Sequence, residues 1–172
     1  MTRRQRIRTI LSCLVTITIL VCAPAINGAD GDILLSIMAT PTSFKNFPGH
    51  AFLLISIETK NGAKEEAMGF YPFPSNPAQA FVGGPGLVQQ EFQKAPARFS
   101  NVSITVQRSI NWAQRKKIYE LADKYNSTHY QFTDSNCIDF IDAVAQAIQL
   151  HTPTRSPTQT PEAYVRALKK LN

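Results

Sequence analysis

Gly49-His50-Ala51-Phe52-Leu53-Leu54-Ile55-Ser56-Ile57-Glu58 is the stretch that decides how this chain folds. Ala51, Leu53, Ile55 and Ile57 occupy one alternating set of positions, and Phe52 and Leu54 lie on the other. A strand with one wet face alternates apolar with polar. A run that is apolar on both sides reads as a strand covered on both faces, in the middle of its sheet. Asn61-Gly62 then gives a strong hairpin signal, and a return strand is expected from Glu66 to Tyr71, stopped by Pro72 and Pro74. Upstream, Ile33 to Met38 reads as a first strand, joined to His50 by a loop holding Pro41 and Pro48. Downstream, Val102 to Gln107 alternates cleanly and reads as another strand. Between them, residues 72–98 carry Pro77, Gly83, Gly84, Pro85, Gly86 and Pro96, and read as a long surface loop. Loops of that length in compact domains are often binding or covering elements.

The rest of the chain is helical in pattern. Ile118, Leu121, Ala122 and Tyr125 fall at i, i+3, i+4 and i+7, one apolar stripe, with Trp112 expected to anchor the helix start. A second helix is expected to be capped by Asp134 or Ser135. Cys137, Phe140, Ile141, Val144, Ala145 and Ile148 line its apolar face, with Asp139, Asp142, Gln146 and Gln149 opposite. After the Pro- and Thr-rich residues 151–161, Pro161-Glu162 opens a short last helix with Tyr164, Val165 and Leu168. The expected fold is α+β: a small antiparallel sheet packed against two or three helices, in one domain over residues 26–172.

Residues 1–25 read as a signal peptide instead of fold. Arg3, Arg4, Arg6 and Arg8 give a basic start, Thr9 to Val21 is almost wholly apolar or small, and Ala23-Pro24-Ala25 supplies the small-residue cleavage pattern. The apolar run is shorter than the ~20 residues a membrane-spanning helix needs, so no transmembrane segment is expected in the mature chain. Its expected destination is export, periplasmic or secreted. Cleavage changes the charge. The 172-residue chain carries 18 Lys+Arg against 12 Asp+Glu, a net +6, and losing four Arg leaves 14 against 12. A near-neutral mature domain removes the main support for nucleic-acid binding. An apolar fraction of 44% and a charged fraction of 17% also exclude a disordered, collagen-like or coiled-coil chain.

The same cut removes Cys13 and Cys22 and leaves Cys137 as the lone thiol. In an oxidising compartment a lone thiol is a liability unless it is buried or used. A free Cys on an apolar helix face is often no more than a small hydrophobe. This one, however, stands at a helix start, where exposed N–H groups favour a thiolate and could hold an oxyanion. A nucleophile also needs a base, and the mature chain has three histidines. His50 opens the central strand directly after Pro48-Gly49, a rigid mount. His129 lies eight residues before Cys137 in an extended approach and reads as a surface residue. His151 follows the far end of the Cys137 helix, roughly 20 Å away at ~1.5 Å per residue. The plain alternative for His50 is a core histidine bonded to backbone. No spacing resembles C-x-x-C or H-E-x-x-H, so no metal and no cofactor is expected.

Gly49-His50-Ala51-Phe52-Leu53-Leu54-Ile55, with Tyr130-Gln131-Phe132 and Asn136-Cys137-Ile138-Asp139-Phe140 downstream, resembles the circularly permuted papain-like proteins. These include permuted NlpC-type amidases and lecithin:retinol acyltransferase-like proteins, in which the His strand precedes the Cys helix. The resemblance spans roughly residues 33–150 and implies Cys137 as nucleophile and His50 as base. The family also expects a polar group that orients the histidine. A turn centred near Asn61-Gly62 places Glu66 and Glu65 opposite Ile57 and Glu58, on the order of 25 Å from His50 at ~3.3 Å per residue. That leaves Tyr71 as the nearest polar side chain on the return strand, and no His, Asp or Glu at the third position. The competing role for Tyr71 is packing beside Phe70 and Phe73. The expected activity is an exported thiol hydrolase, an amidase or peptidase working through a thioester. Its partner would be a peptide or acyl substrate, with cell-wall peptidoglycan as the family-based expectation. The alternatives are an acyl-group transferase on the same dyad, favoured by a deep apolar cleft under residues 72–98, and a non-catalytic binding module with Cys137 inert.

Overall fold

The computed structural model describes residues 32–43, 48–74 and 77–172. The expected signal segment, with Cys13 and Cys22, lies outside the described residues. Among the described residues six strands form one sheet: β1 (Ile33–Thr40), β2 (His50–Ile57), β3 (Lys64–Pro72), β4 (Gly84–Gln90), β5 (Ile104–Ile110) and the two-residue β6 (His129–Tyr130). Their order is β5-β1-β2-β3-β4-β6, and each neighbouring pair is antiparallel. Five helices accompany them: α1 (Pro77–Val82), α2 (Glu91–Lys94), α3 (Trp112–Tyr125), α4 (Cys137–Ala147) and α5 (Pro161–Leu171), with a 3-10 helix over Pro96–Asn101. The fold is α+β, as the alternation of patterns along the chain requires.

β2 is covered on both sides, and the two coverings differ. Ala51, Leu53, Ile55 and Ile57 join Leu35 and Ile37 of β1 and Phe70 of β3 in one core with the helices. α4 contributes Cys137, Ile138, Phe140, Ile141, Val144 and Ala145, all buried, and α5 adds Tyr164, Val165 and Leu168. Each such aliphatic or aromatic side chain stabilises the fold by about 1.5–3 kcal/mol on burial. Phe52, on the opposite face of β2, is also fully buried. Its cover is Phe99 of the 3-10 helix, whose ring meets it edge-on at 5.3 Å, with Phe92 of α2 stacked on Phe99 at 4.7 Å. Residues 91–101 therefore form a second, smaller layer over one end of the sheet.

The hairpin after β2 turns one position earlier than Asn61-Gly62 suggests. Thr59 and Gly62 exchange both backbone hydrogen bonds, so Lys60 and Asn61 are the two turn residues and Gly62 closes the turn with φ 105°. The register consequently moves by two residues: Glu66 faces Ile55, Glu65 faces Ser56, and Lys64 faces Ile57. An even shift keeps each side chain on its face, so the expected core survives the correction.

The larger correction concerns residues 72–98, which are not a surface loop. β4 lies within them and pairs with β3 from Met68↔Gln90 to Pro72↔Gly86. The glycines that suggest a loop serve close packing: a Cβ on Gly86 would fall 2.2 Å from the Phe70 ring and 2.7 Å from the Thr128 carbonyl oxygen. Two helix starts also differ from expectation. Asn111 caps α3 through a reciprocal box with Gln114, while Trp112 stays 55% exposed under the Arg115 guanidinium and anchors nothing. α4 is capped by Asn136, not by Asp134 or Ser135.

Candidate active site

Cys137 is the first residue of α4, and the chain fixes that helix end from several directions. The Asn136 side chain accepts the Ile138 N–H at 2.8 Å, and Asp139 Oδ2 accepts the Asn136 N–H at 2.8 Å, closing a capping box. Asn136 Nδ2 also donates to the Phe132 carbonyl at 2.5 Å. Arg155 donates to Asp139 from the loop before α5, and Tyr125 of α3 donates to its carbonyl. The sulfur is thus held at the positive end of a helix whose first turn cannot fray freely, a position that favours thiolate.

His50 opens β2 and is set by its own backbone. Its N–H donates to Thr40 Oγ1 at 3.0 Å, and Gly49 precedes it at φ 86°, where a Cβ would fall 2.8 Å from the Thr40 carbonyl oxygen. Pairing between β2 and β3 runs from Ile57↔Lys64 only as far as Leu53↔Met68. Past that point the imidazole stacks on Tyr71, rings 4.4 Å apart and 26° from parallel. His50 Nε2 lies 3.1 Å from Glu91 Oε1. An ionised carboxylate only accepts, so Nε2 carries the hydrogen and Nδ1 is the nitrogen left for sulfur. The Cys137 thiol lies close enough to the His50 imidazole for each to shift the other's protonation, and the Ala51 N–H bears on the thiol as well.

The electrostatics follow from that geometry. Burial opposes charge on both partners, yet each prevails over it through the other. Burial pulls the His50 imidazole down, but the Cys137 charge and hydrogen bond, with the Glu91 bond and charge, leave it above its ordinary value. Burial pushes the Cys137 thiol up, but the His50 charge and hydrogen bond, with the Ala51 N–H, bring it below its ordinary value. The two shifts run in the directions that favour a thiolate–imidazolium pair. Tyr130, buried on β6, brings its hydroxyl into the neighbourhood of Cys137. Burial first, and then the neighbouring Cys137 charge, push that phenol far above its ordinary value, so it remains a donor.

Glu91, the first residue of α2, is the site residue the sequence reading misses. It is completely buried, and a buried carboxylate is costly unless paired and hydrogen-bonded. Its Oε1 accepts His50 Nε2 and the Tyr71 hydroxyl, the latter at 2.5 Å, and its Oε2 accepts Arg98 Nη1 at 3.0 Å. Arg98 Nη1 also donates to the Tyr71 hydroxyl. Tyr71 therefore stacks on the imidazole and hydrogen-bonds the carboxylate; the hydrogen-bond partner of His50 is Glu91. The expectation that the third position lacks an acid fails because residues 72–98 return to the sheet as β4 and deliver Glu91 to it. One signal was available: Glu91 is the one acid between Glu66 and Glu120, and it stands beside an aromatic, Phe92. Gly69 makes the arrangement possible, since a Cβ there would fall 2.1 Å from Glu91 Oε1 and 2.5 Å from His50 Nε2.

The other two histidines take no part. His129 is exposed on β6, opposite Pro85 of β4. His151 is exposed beyond α4, where its backbone pairs with the Asn172 side chain. Among the described residues no helix is long and apolar enough to cross a membrane.

No family model matches the chain, and no curated protein matches it either. Among solved structures it is similar to the type VI secretion system effector TseH, with a TM-score of 0.55 and 16% identity over 83% of this chain and 90% of that one. At that identity the likeness is one of fold.

Proposed function

We propose that this protein is an exported thiol hydrolase, an amidase or peptidase of permuted papain-like fold. The observation that carries the reading is the mounting of one imidazole between two partners, the Cys137 thiol on one side and the fully buried Glu91 on the other. A structural histidine needs no thiol at a helix start, and an inert cysteine needs no imidazole braced by a buried acid.

The parts give the reaction. The Cys137 thiolate attacks a carbonyl carbon, and the negative charge that develops on its oxygen lies beside the Cys137 N–H and the Tyr130 hydroxyl. His50, already carrying the thiol proton, gives it to the leaving amine as the carbon–nitrogen bond breaks, leaving a thioester. Water then attacks, His50 takes a proton from it, and that proton returns to sulfur as the acid product departs. Glu91 holds the imidazole in one tautomer throughout. An exported enzyme of this class has peptide amides of the cell wall as its natural substrates, and likeness to a secretion-system effector supports an exported destination.

An acyl-transferase reading has one observation in its favour. Phe81 of α1, half exposed, packs on Phe132 at 5.3 Å, and the Phe132 carbonyl is tied to the cap of the Cys137 helix. That apolar patch suits an acyl chain.

The test is digestion of purified peptidoglycan, with new amino groups and fragment masses as the readout. The protein releases defined fragments, and Cys137→Ala lowers that release by roughly 10³-fold or more. Equal release by both proteins sinks the amidase reading. Transfer from an acyl thioester to an amine, with peptidoglycan untouched, would move the assignment to the transferase.

A further inference from the structure

We propose that Arg98 is a positioning residue that keeps Cys137 in its thiolate form through Glu91 and His50. The inference rests on the thiol-hydrolase reading above and extends it to a residue that does not touch the reacting atoms.

Four groups of alternating charge are strung through the interior. Cys137 as thiolate is followed by His50 as imidazolium, Glu91 as carboxylate and Arg98 as guanidinium. Cys137, His50 and Glu91 are buried, at 4%, 6% and 0% exposure, whereas the Arg98 side chain is 25% exposed and reaches solvent. The chain sums to zero with Arg98 and to minus one without it. An uncompensated buried charge is among the most costly states a fold can hold, and the cheapest relief is one proton bound somewhere along the chain. Bound at sulfur, that proton disarms the nucleophile. Arg98 also anchors the geometry: Nη1 binds Glu91 Oε2 at 3.0 Å and the Tyr71 hydroxyl, whose own hydrogen goes to Glu91 Oε1. Its guanidinium carbon lies 5.3 Å from the centre of the Tyr71 ring. The carboxylate is therefore gripped at both oxygens while it holds His50.

The charged and titratable groups facing this chain come from every element around it. Tyr71 faces it from β3, Tyr130 from β6, and Asp139 from α4 itself. Lys94 of α2 lies outside, 5.6 Å from the centre of the Tyr71 ring. Of these, Arg98 is the group that supplies a positive charge to the buried carboxylate by direct contact.

The test is the pH dependence of Cys137 alkylation by iodoacetamide in the full protein, followed for wild type, Arg98→Gln, Arg98→Met and Arg98→Lys, with melting curves alongside. Arg98→Met keeps the stem packed on Tyr71 and carries the test if the Gln variant fails to fold. Wild type should inflect well below ~8.5, the value for a free thiol. Both neutral variants should inflect about one pH unit higher and label about tenfold more slowly at pH values below both inflections, since one pKa unit is there a tenfold change in thiolate. Arg98→Lys should restore part of the shift, because it keeps the charge and loses the planar donor geometry. If the neutral variants melt lower yet inflect with wild type, Arg98 is only structural and the proposal is overturned, while the hydrolase reading stands. If wild type itself inflects near ~8.5, the hydrolase reading fails and takes this proposal with it.

Discussion

Replacing the hydrogen of Gly69 by a methyl group should separate Glu91 from His50 without touching either residue. The new carbon would stand 2.1 Å from Glu91 Oε1 and 2.5 Å from His50 Nε2, two atoms now 3.1 Å apart. Those three distances place it at the apex of a near-right angle. If each polar atom retreats along its own line to an ordinary contact, the gap between them opens to roughly 4.6 Å or more, beyond hydrogen-bond range. Both atoms end side chains, so the backbone need not move, but Glu91 is pinned by Arg98 and Tyr71 and His50 by its stack on Tyr71. Losing a charge-assisted bond in a buried site costs about 1.5–3 kcal/mol, and overpacking adds about 1 kcal/mol or more. Gly69→Ala should therefore lower the unfolding free energy by about 2–4 kcal/mol in urea titration. It should also misplace the imidazole enough to cut peptidoglycan cleavage by about 10²-fold. A variant within about 0.5 kcal/mol of wild type, the usual range of an innocuous surface change, and with full activity, would show that Glu91 and His50 do not meet across Gly69.

Two further outcomes follow from the same site. The stability contributed by the Cys137–His50 pair has a window set by the two shifts, His50 raised and Cys137 lowered. The histidine contribution is complete below ~6.5 and fades as pH rises through its folded value; the cysteine contribution is complete above ~8.5 and fades as pH falls through its folded value. Between those two reference values the opposing slopes cancel, so the difference in unfolding free energy between wild type and Cys137→Ser should form a plateau there, declining on both sides by up to ~1.4 kcal/mol per pH unit; a difference that rises or falls monotonically across the whole range would contradict the pair. Asn136→Ala removes the α4 cap and the hydrogen bonds it makes to the Phe132 carbonyl and the Ile138 N–H, for about 2 kcal/mol; a melting temperature lowered by about 4–8 °C is expected, and an unchanged one would show that the cap is dispensable.

The sequence makes β2 and α4 legible because each states its environment in its own residues. A run apolar on both faces has no place but the middle of a sheet, and a stripe from Cys137 to Ile148 has one face to bury. His50 and Cys137 are legible for the same reason, one at the first position of that strand and the other at the first turn of that helix. Glu91 is not, because its burial depends on β4, and β4 hides its strand character. Gly84, Pro85 and Gly86 are poor strand formers chosen by tertiary space, where the Phe70 ring and the Thr128 carbonyl leave no room for a side chain at Gly86. The hairpin register points only to β3, and β3 carries at that level Tyr71, which bonds the acid instead of replacing it.

The order of the parts along the chain carries a consequence for the organism that makes it. The imidazole comes first, on β2, and the sulfur 87 residues later, on α4. Until α4 docks against β2 the thiol has no proton acceptor beside it, and nothing in a nascent or threaded chain can cleave a neighbour. On the proposed hydrolase reading, cleavage is thus deferred to the moment folding finishes, so where the chain folds decides where that chemistry begins.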